Sequence, residues 1–141
     1  MKVLVDTSIW SLAFRRSTKK LNSEEKTILS NLTTLIEDLR VVLIGPIRQE
    51  ILSGISDEMQ FSQLKEKLQA FDDLPITSQD YELASEFYNT CRKNGVQGSH
   101  IDFLICAVAH RNRLLIFTTD KDFERYSKFI DLKFHKPQNV T

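Results

Sequence analysis

"LLIFTTDKDFERY", residues 114–126, carries four apolar residues into two threonines, then Asp120 and, two places on, Asp122. A short continuous apolar run of this kind reads as a strand buried on both faces, as in a parallel sheet. The other end of the chain repeats the pattern. In "MKVLVDTSIW", residues 1–10, Val3, Leu4 and Val5 run into Asp6, Thr7 and Ser8. Parallel strands share the edge at which they end, so two strands that finish on a carboxylate bring the acids to one edge.

Between these ends the periodicity switches repeatedly. "VVLI" at 41–44 is a second strand, stopped by Gly45 and Pro46, and Pro46 suits the first position of a helix carrying Ile47, Glu50 and Ile51. Glu50 follows that strand end by one helical turn and can point to the same edge. Residues 8–14 read as a helical turn. A long helix is capped by Asn22 or Ser23, has Glu24 and Glu25 in its first turn, and buries Ile28, Leu29, Leu32, Leu35, Ile36 and Leu39. Residues 57–71 give an amphipathic helix with Phe61, Leu64 and Leu68 inward; "DLPI" at 73–76 is a connector or short strand. Ser78 opens a helix to about Lys93, closed by Asn94 and Gly95. Ser99 caps the next, whose stripe is Ile101, Leu104, Ile105 and Val108, with Asp102 one place off it. A short helix from Asp120 and a last strand near 132–134 complete the chain. Strands alternating with helices imply a parallel sheet covered on both faces.

The length of 141 residues fits one domain, 1–141, and no linker or repeat divides it. With 41% hydrophobic and 27% charged residues, no apolar run of bilayer length and no apolar leader after Lys2, the expectation is a soluble cytoplasmic protein with no membrane partner. Nineteen basic and nineteen acidic residues cancel, so a polyanion needs a local patch; the candidates are Arg15, Arg16, Lys19, Lys20, Arg48 and Lys121. Cys91 and Cys106 lack the spacing of a zinc site or a disulfide framework and read as small buried hydrophobes. His100, His110 and His135 are scattered, and the glycines at 45, 54, 95 and 98 cannot form a phosphate-cradling loop.

Taken singly, Asp6, Glu50, Asp102 and Asp120 have ordinary uses as caps, dipole partners or solvent-facing acids. Together they are costly: two carboxylates about 5 Å apart repel by roughly 3 kcal/mol at an effective dielectric near 20. A cation removes that cost, and oxygen ligands without His or Cys favour Mg2+ or Mn2+ over zinc. An aspartyl phosphatase is the competing use of a strand-end Asp, but that chemistry pairs it with a second Asp two places on, where Ser8 stands.

"VDTS" after the first strand, "RQEIL" after the second, "HIDFLICAVA" on the late helix and "FTTDKDFE" after the next strand resemble, in order and spacing, the acidic motifs of PIN domains, and among them the VapC-like toxins. The resemblance covers nearly the whole chain. It implies a three-layer α/β/α sandwich with a mainly parallel central sheet and Mg2+- or Mn2+-dependent endoribonuclease activity. It also implies an RNA substrate, a cognate antitoxin and a homodimer. By the same resemblance Asp6, Glu50, Asp102 and Asp120 are the catalytic acids, Asp6, Asp102, Asp120 and Asp122 the metal ligands, and Thr7, Ser8 and Thr119 supporting hydroxyls. His100 stands where many relatives have an apolar residue or proline. A PIN-fold protein that binds RNA or partners without cutting is the alternative; it would show itself by a missing acid, and none is missing.

Overall fold

The computed structural model describes residues 1–15 and 20–138. Strand β1 (Val3–Val5) is followed by helices α1 (Thr7–Arg15) and α2 (Ser23–Glu37), then by β2 (Val41–Val42). Four helices come next: α3 (Gly45–Leu52), α4 (Glu58–Leu68), α5 (Ser78–Lys93) and α6 (His100–Arg111). Strand β3 (Leu115–Phe117) and helix α7 (Asp122–Tyr126) follow.

The sheet order is β2-β1-β3 and every pairing is parallel. Val3 is level with both Val41 and Leu115, and Val5 with Phe117. All three β1 residues are wholly buried, as the unbroken apolar run requires of a central strand. The chain leaves β1 toward β2 on one side and later crosses to β3 on the other. Right-handed connections in opposite directions put helices on opposite faces and leave a crevice between the ends of β1 and β3. On one side α1 packs on α2 and α3, and α3 on α4; on the other α5 lies along α6, which rests on β3. The expected three-layer α/β/α sandwich is the one observed.

The sheet edges are thinner than the sequence suggested. "DLPI" contributes a parallel bridge between Asp73 and Leu43, with the Leu74 N–H donating to the Leu43 carbonyl at 2.8 Å. Pro75 then has no N–H to extend the ladder. The strand expected at 132–134 is likewise one bridge, Phe134 with Ile116. Helix α4 ends at Leu68 rather than near 71, and α7 begins at Asp122 rather than Asp120. Three apolar residues assigned inward face out: Phe61, Ile101 and Leu39. Leu39 lies past the α2 C-cap at φ 57°, so it has left the helical stripe altogether. The capping assignments agree with the structure at Asn22, whose side chain accepts from the Glu25 N–H, and at Ser99, which accepts from Asp102. Cys91 and Cys106 are buried, and burial pushes both thiols above their ordinary value.

Candidate metal centre

The Asp6 N–H donates to the Phe117 carbonyl at 2.9 Å, which continues the β1–β3 pairing one step past the strand ends. That step brings Asp6 beside Thr118. The Asp6 Oδ2 accepts from the Thr118 hydroxyl at 2.8 Å, the Ser8 hydroxyl at 2.9 Å and the Ser8 N–H at 3.4 Å. Three donors converging on one oxygen leave a 7% exposed carboxylate little rotational freedom. From the other side, the Thr7 hydroxyl donates to Glu50 Oε2 at 3.1 Å and ties α3 to the same edge.

Asp102 occupies the third position of α6, where its N–H donates to Ser99 Oγ at 3.0 Å. Phe103 through Ala109, which follow it, are all buried, so the turn bearing Asp102 is held against the sheet. In the loop after β3, Asp120 donates its N–H to Thr118 Oγ1 at 3.0 Å and accepts from the Asp122 N–H at 2.9 Å. Carboxylate oxygens of Asp102, Asp120 and Asp122 all lie within 4.8 Å of one another. Asp6 and Glu50 stand outside that threesome, although Asp6 is close enough to act on Asp102 electrostatically.

Asp102 is raised above the usual carboxylate value, first by burial, then by the negative charges of Asp120 and Asp6. The Tyr126 hydroxyl, which donates to Asp102 Oδ2 at 2.7 Å, works in the opposite direction without cancelling the rise. Tyr126 is itself pushed far above the ordinary phenol value by burial and by its bond to Asp102, so it remains a donor. Carboxylates that crowd one another, with oxygen as their donor atom, fit a hard divalent cation of the Mg2+ or Mn2+ kind. A cleft of about 410 Å³ opens beside Ser8 and Thr119, with Asn22, Glu25 and Ile28 on its far wall.

Several sequence-based assignments change. The hydroxyl that reaches Asp6 is that of Thr118; Thr119 is exposed and contributes its N–H to Ser8 Oγ at 3.1 Å. Arg48, a candidate RNA contact, instead holds the connector after α4: it donates to Asp73 at 3.0 Å and to the carbonyls of Leu68 and Phe71. Asp122 also pairs with Arg125 at 3.3 Å. Lys20 and Lys121 are exposed. Arg16 and Lys19 lie outside the described residues, as does the side chain of Arg15. The histidines lie in ordinary contacts: His100 stacks on Tyr88 at 5.0 Å, His110 lies 3.2 Å from the Asp131 carbonyl, and His135 is 3.3 Å from Asn31 Oδ1. Two participants were not assigned from sequence, Thr118 and Tyr126. The spacing of Tyr126, one helical turn after Asp122, is the signal that could have found it.

Residues 3–129 match the family model described as PIN domain. The chain belongs to the PIN domain family. Among curated proteins, a VapC ribonuclease of Mycobacterium bovis is 29% identical over 133 residues, covering 93% of this chain and 96% of its own length. Ribonuclease VapC11 of Mycobacterium tuberculosis matches with the same identity and coverage. Among solved structures, FitAcB from Neisseria gonorrhoeae superposes with a TM-score of 0.74 at 20% identity, over 96% of this chain and 97% of that one. VapBC2 from Rickettsia felis, bound to a DNA fragment from its promoter, gives 0.75 at 16% identity, over 96% and 98%. These two share the PIN fold with this chain.

Proposed function

We propose that this PIN domain is a Mg2+-dependent endoribonuclease, with Mn2+ able to substitute, and the toxin of a toxin–antitoxin pair. The observation that carries the reading is the approach of Asp102, Asp120 and Asp122 to within 4.8 Å of one another at the sheet edge where Asp6 also ends its strand. The two mycobacterial relatives, both named as ribonucleases, support the substrate, and a structural neighbour from Klebsiella pneumoniae that is a toxin–antitoxin complex supports a cognate antitoxin. A homodimer belongs to the same proposal.

Asp102, Asp120 and Asp122, with Asp6 alongside, would hold the ion. When bound, a divalent cation supplies Lewis-acid polarisation of a phosphoryl oxygen and offsets the charge of these acids. Ser8 and Thr118 keep the Asp6 carboxylate turned one way, and Thr7 does the same for Glu50, which would take up a proton in the reaction. Lys20 and Lys121, exposed on the described surface, would contact RNA phosphates, joined by Arg15, Arg16 and Lys19.

The test is cleavage of single-stranded RNA by purified protein in Mg2+ or Mn2+, stopped by chelation. Expression of the wild type should arrest bacterial growth, and Asp6→Asn should relieve the arrest at matched protein levels. Cleavage that survives excess EDTA would sink the metal mechanism; RNA binding without cleavage would favour a non-catalytic PIN-fold binder.

A further inference from the structure

Tyr126 is wholly buried, its ring 4.7 Å from that of Phe103 and 5.4 Å from that of Phe123. A buried phenol needs a partner for its O–H. Its partner is a carboxylate oxygen of the acid group itself, Asp102 Oδ2. The loop leading into α6 has been shaped around this contact. A Cβ added to Gly98 would fall on the Tyr126 hydroxyl and within 2.7 Å and 2.8 Å of the ring carbons Cζ and Cε1. Ring carbons fixed between two phenylalanines cannot yield to it, so the glycine is required by close approach.

Two acid-bearing elements meet at this point. Asp102 belongs to α6, whereas Asp122 lies on α7 one helical turn before Tyr126. The phenol therefore joins the helix that carries one acid to the helix that carries another, 24 residues apart in sequence. Resting on the reading of the acids as a cation site, we infer that Tyr126 is a positioning residue. Its hydroxyl holds the Asp102 carboxylate in the orientation that keeps it within reach of Asp120 and Asp122, and Gly98 is the opening that lets it do so.

A purely structural tyrosine acts through its ring, which Tyr126→Phe retains. The two roles separate when Mn2+ is titrated calorimetrically into wild type, Tyr126→Phe, Gly98→Ala and the double variant, with a metal-free thermal melt of each. Tyr126→Phe should lose about tenfold or more in Mn2+ affinity, the usual result of removing a group that orients a ligand, while its metal-free melt changes little. Gly98→Ala, which forces the loop before α6 away from the phenol and so draws Asp102 off the hydroxyl, should show the same deficit, and the double variant should lose no more affinity than either single one. Gly98→Ala also decides the matter if Tyr126→Phe does not fold. Tyr126→Phe and Gly98→Ala binding Mn2+ as tightly as wild type would overturn the positioning role and leave the cation site intact. A wild type that takes up no Mn2+ would overturn both.

Discussion

Asp80 and Asp102 occupy the same place on neighbouring helices, the third position of α5 and of α6, and their surroundings treat them in opposite ways. Asp80 is 1% exposed, and burial alone would raise it. Hydrogen bonds from the Thr77 N–H at 2.8 Å and from Arg111 at 2.7 Å more than offset that burial and leave it below 3.8. Asp102 is less buried but faces Asp120 and Asp6 with only the Tyr126 phenol and Ser99 for relief, and it ends above that value. The first-turn position is common to both, so it decides neither role. A satisfied acid holds two helices together; an acid facing other acids is relieved by a proton or a cation.

The largest effect that separates the two should appear in catalysis. Asp102→Asn is expected to lower RNA cleavage by about a hundredfold or more, since the charge stabilisation it supports amounts to several kcal/mol. Asp80→Asn should cleave at near the wild-type rate wherever it is folded. Equal rates for Asp102→Asn and wild type would erase the distinction. Next in size is the response to metal. Mg2+ at about a hundred times its dissociation constant should stabilise the wild type by about 2.7 kcal/mol, through preferential binding to the folded state. Asp80→Asn should keep that gain and Asp102→Asn should lose most of it, which chemical denaturation with and without Mg2+ would reveal.

Without metal, the order of the two variants reverses. Asp80→Asn should cost about 2 kcal/mol at neutral pH, discounted from a fully buried pair because Arg111 is one-third exposed. The folded value of Asp80 is depressed, so its contribution is present above pH 3.8 and is lost as pH falls through the folded value. The cost should shrink in acid. The smallest effect is on Asp102→Asn, which should melt a few degrees above the metal-free wild type, as about 1 kcal/mol would produce in a domain of this size. Here the folded value is raised: wild type carries no penalty below pH 3.8 and acquires one as pH rises through the folded value. The advantage of the variant should therefore grow with pH, opposite to what a helix-dipole partner would show.

Much of this was legible before the chain was folded. The apolar runs at 3–5 and 114–117 marked the two strands whose ends define the crevice, and with them the edge at which Asp6 and Asp120 stand. Local chemistry also sufficed for Ser99, whose cap places Asp102 in the first turn of α6. Contacts that cross elements were out of reach. Arg48 reads as a surface cation until Asp73 and two carbonyls of a neighbouring connector surround it. The choice between Thr118 and Thr119 depended on which residue after β3 faces Asp6, a parity that two adjacent threonines conceal. Ile101 fits a helical stripe, yet it lines an open groove beside Tyr81 and Tyr88 of α5 and stays 41% exposed.

The central position of β1 also bears on how the protein is made. Val5 leaves the ribosome well ahead of its partner Phe117, and Asp6 meets Thr118 across a separation of 112 residues. Such non-local parallel pairing is slow to form. At synthesis rates of about 5–20 residues per second, several seconds pass with one side of the crevice translated and the other absent. A nascent or truncated chain therefore carries Asp6 without Asp120, and the acids come together only once β3 and the loop after it have been translated.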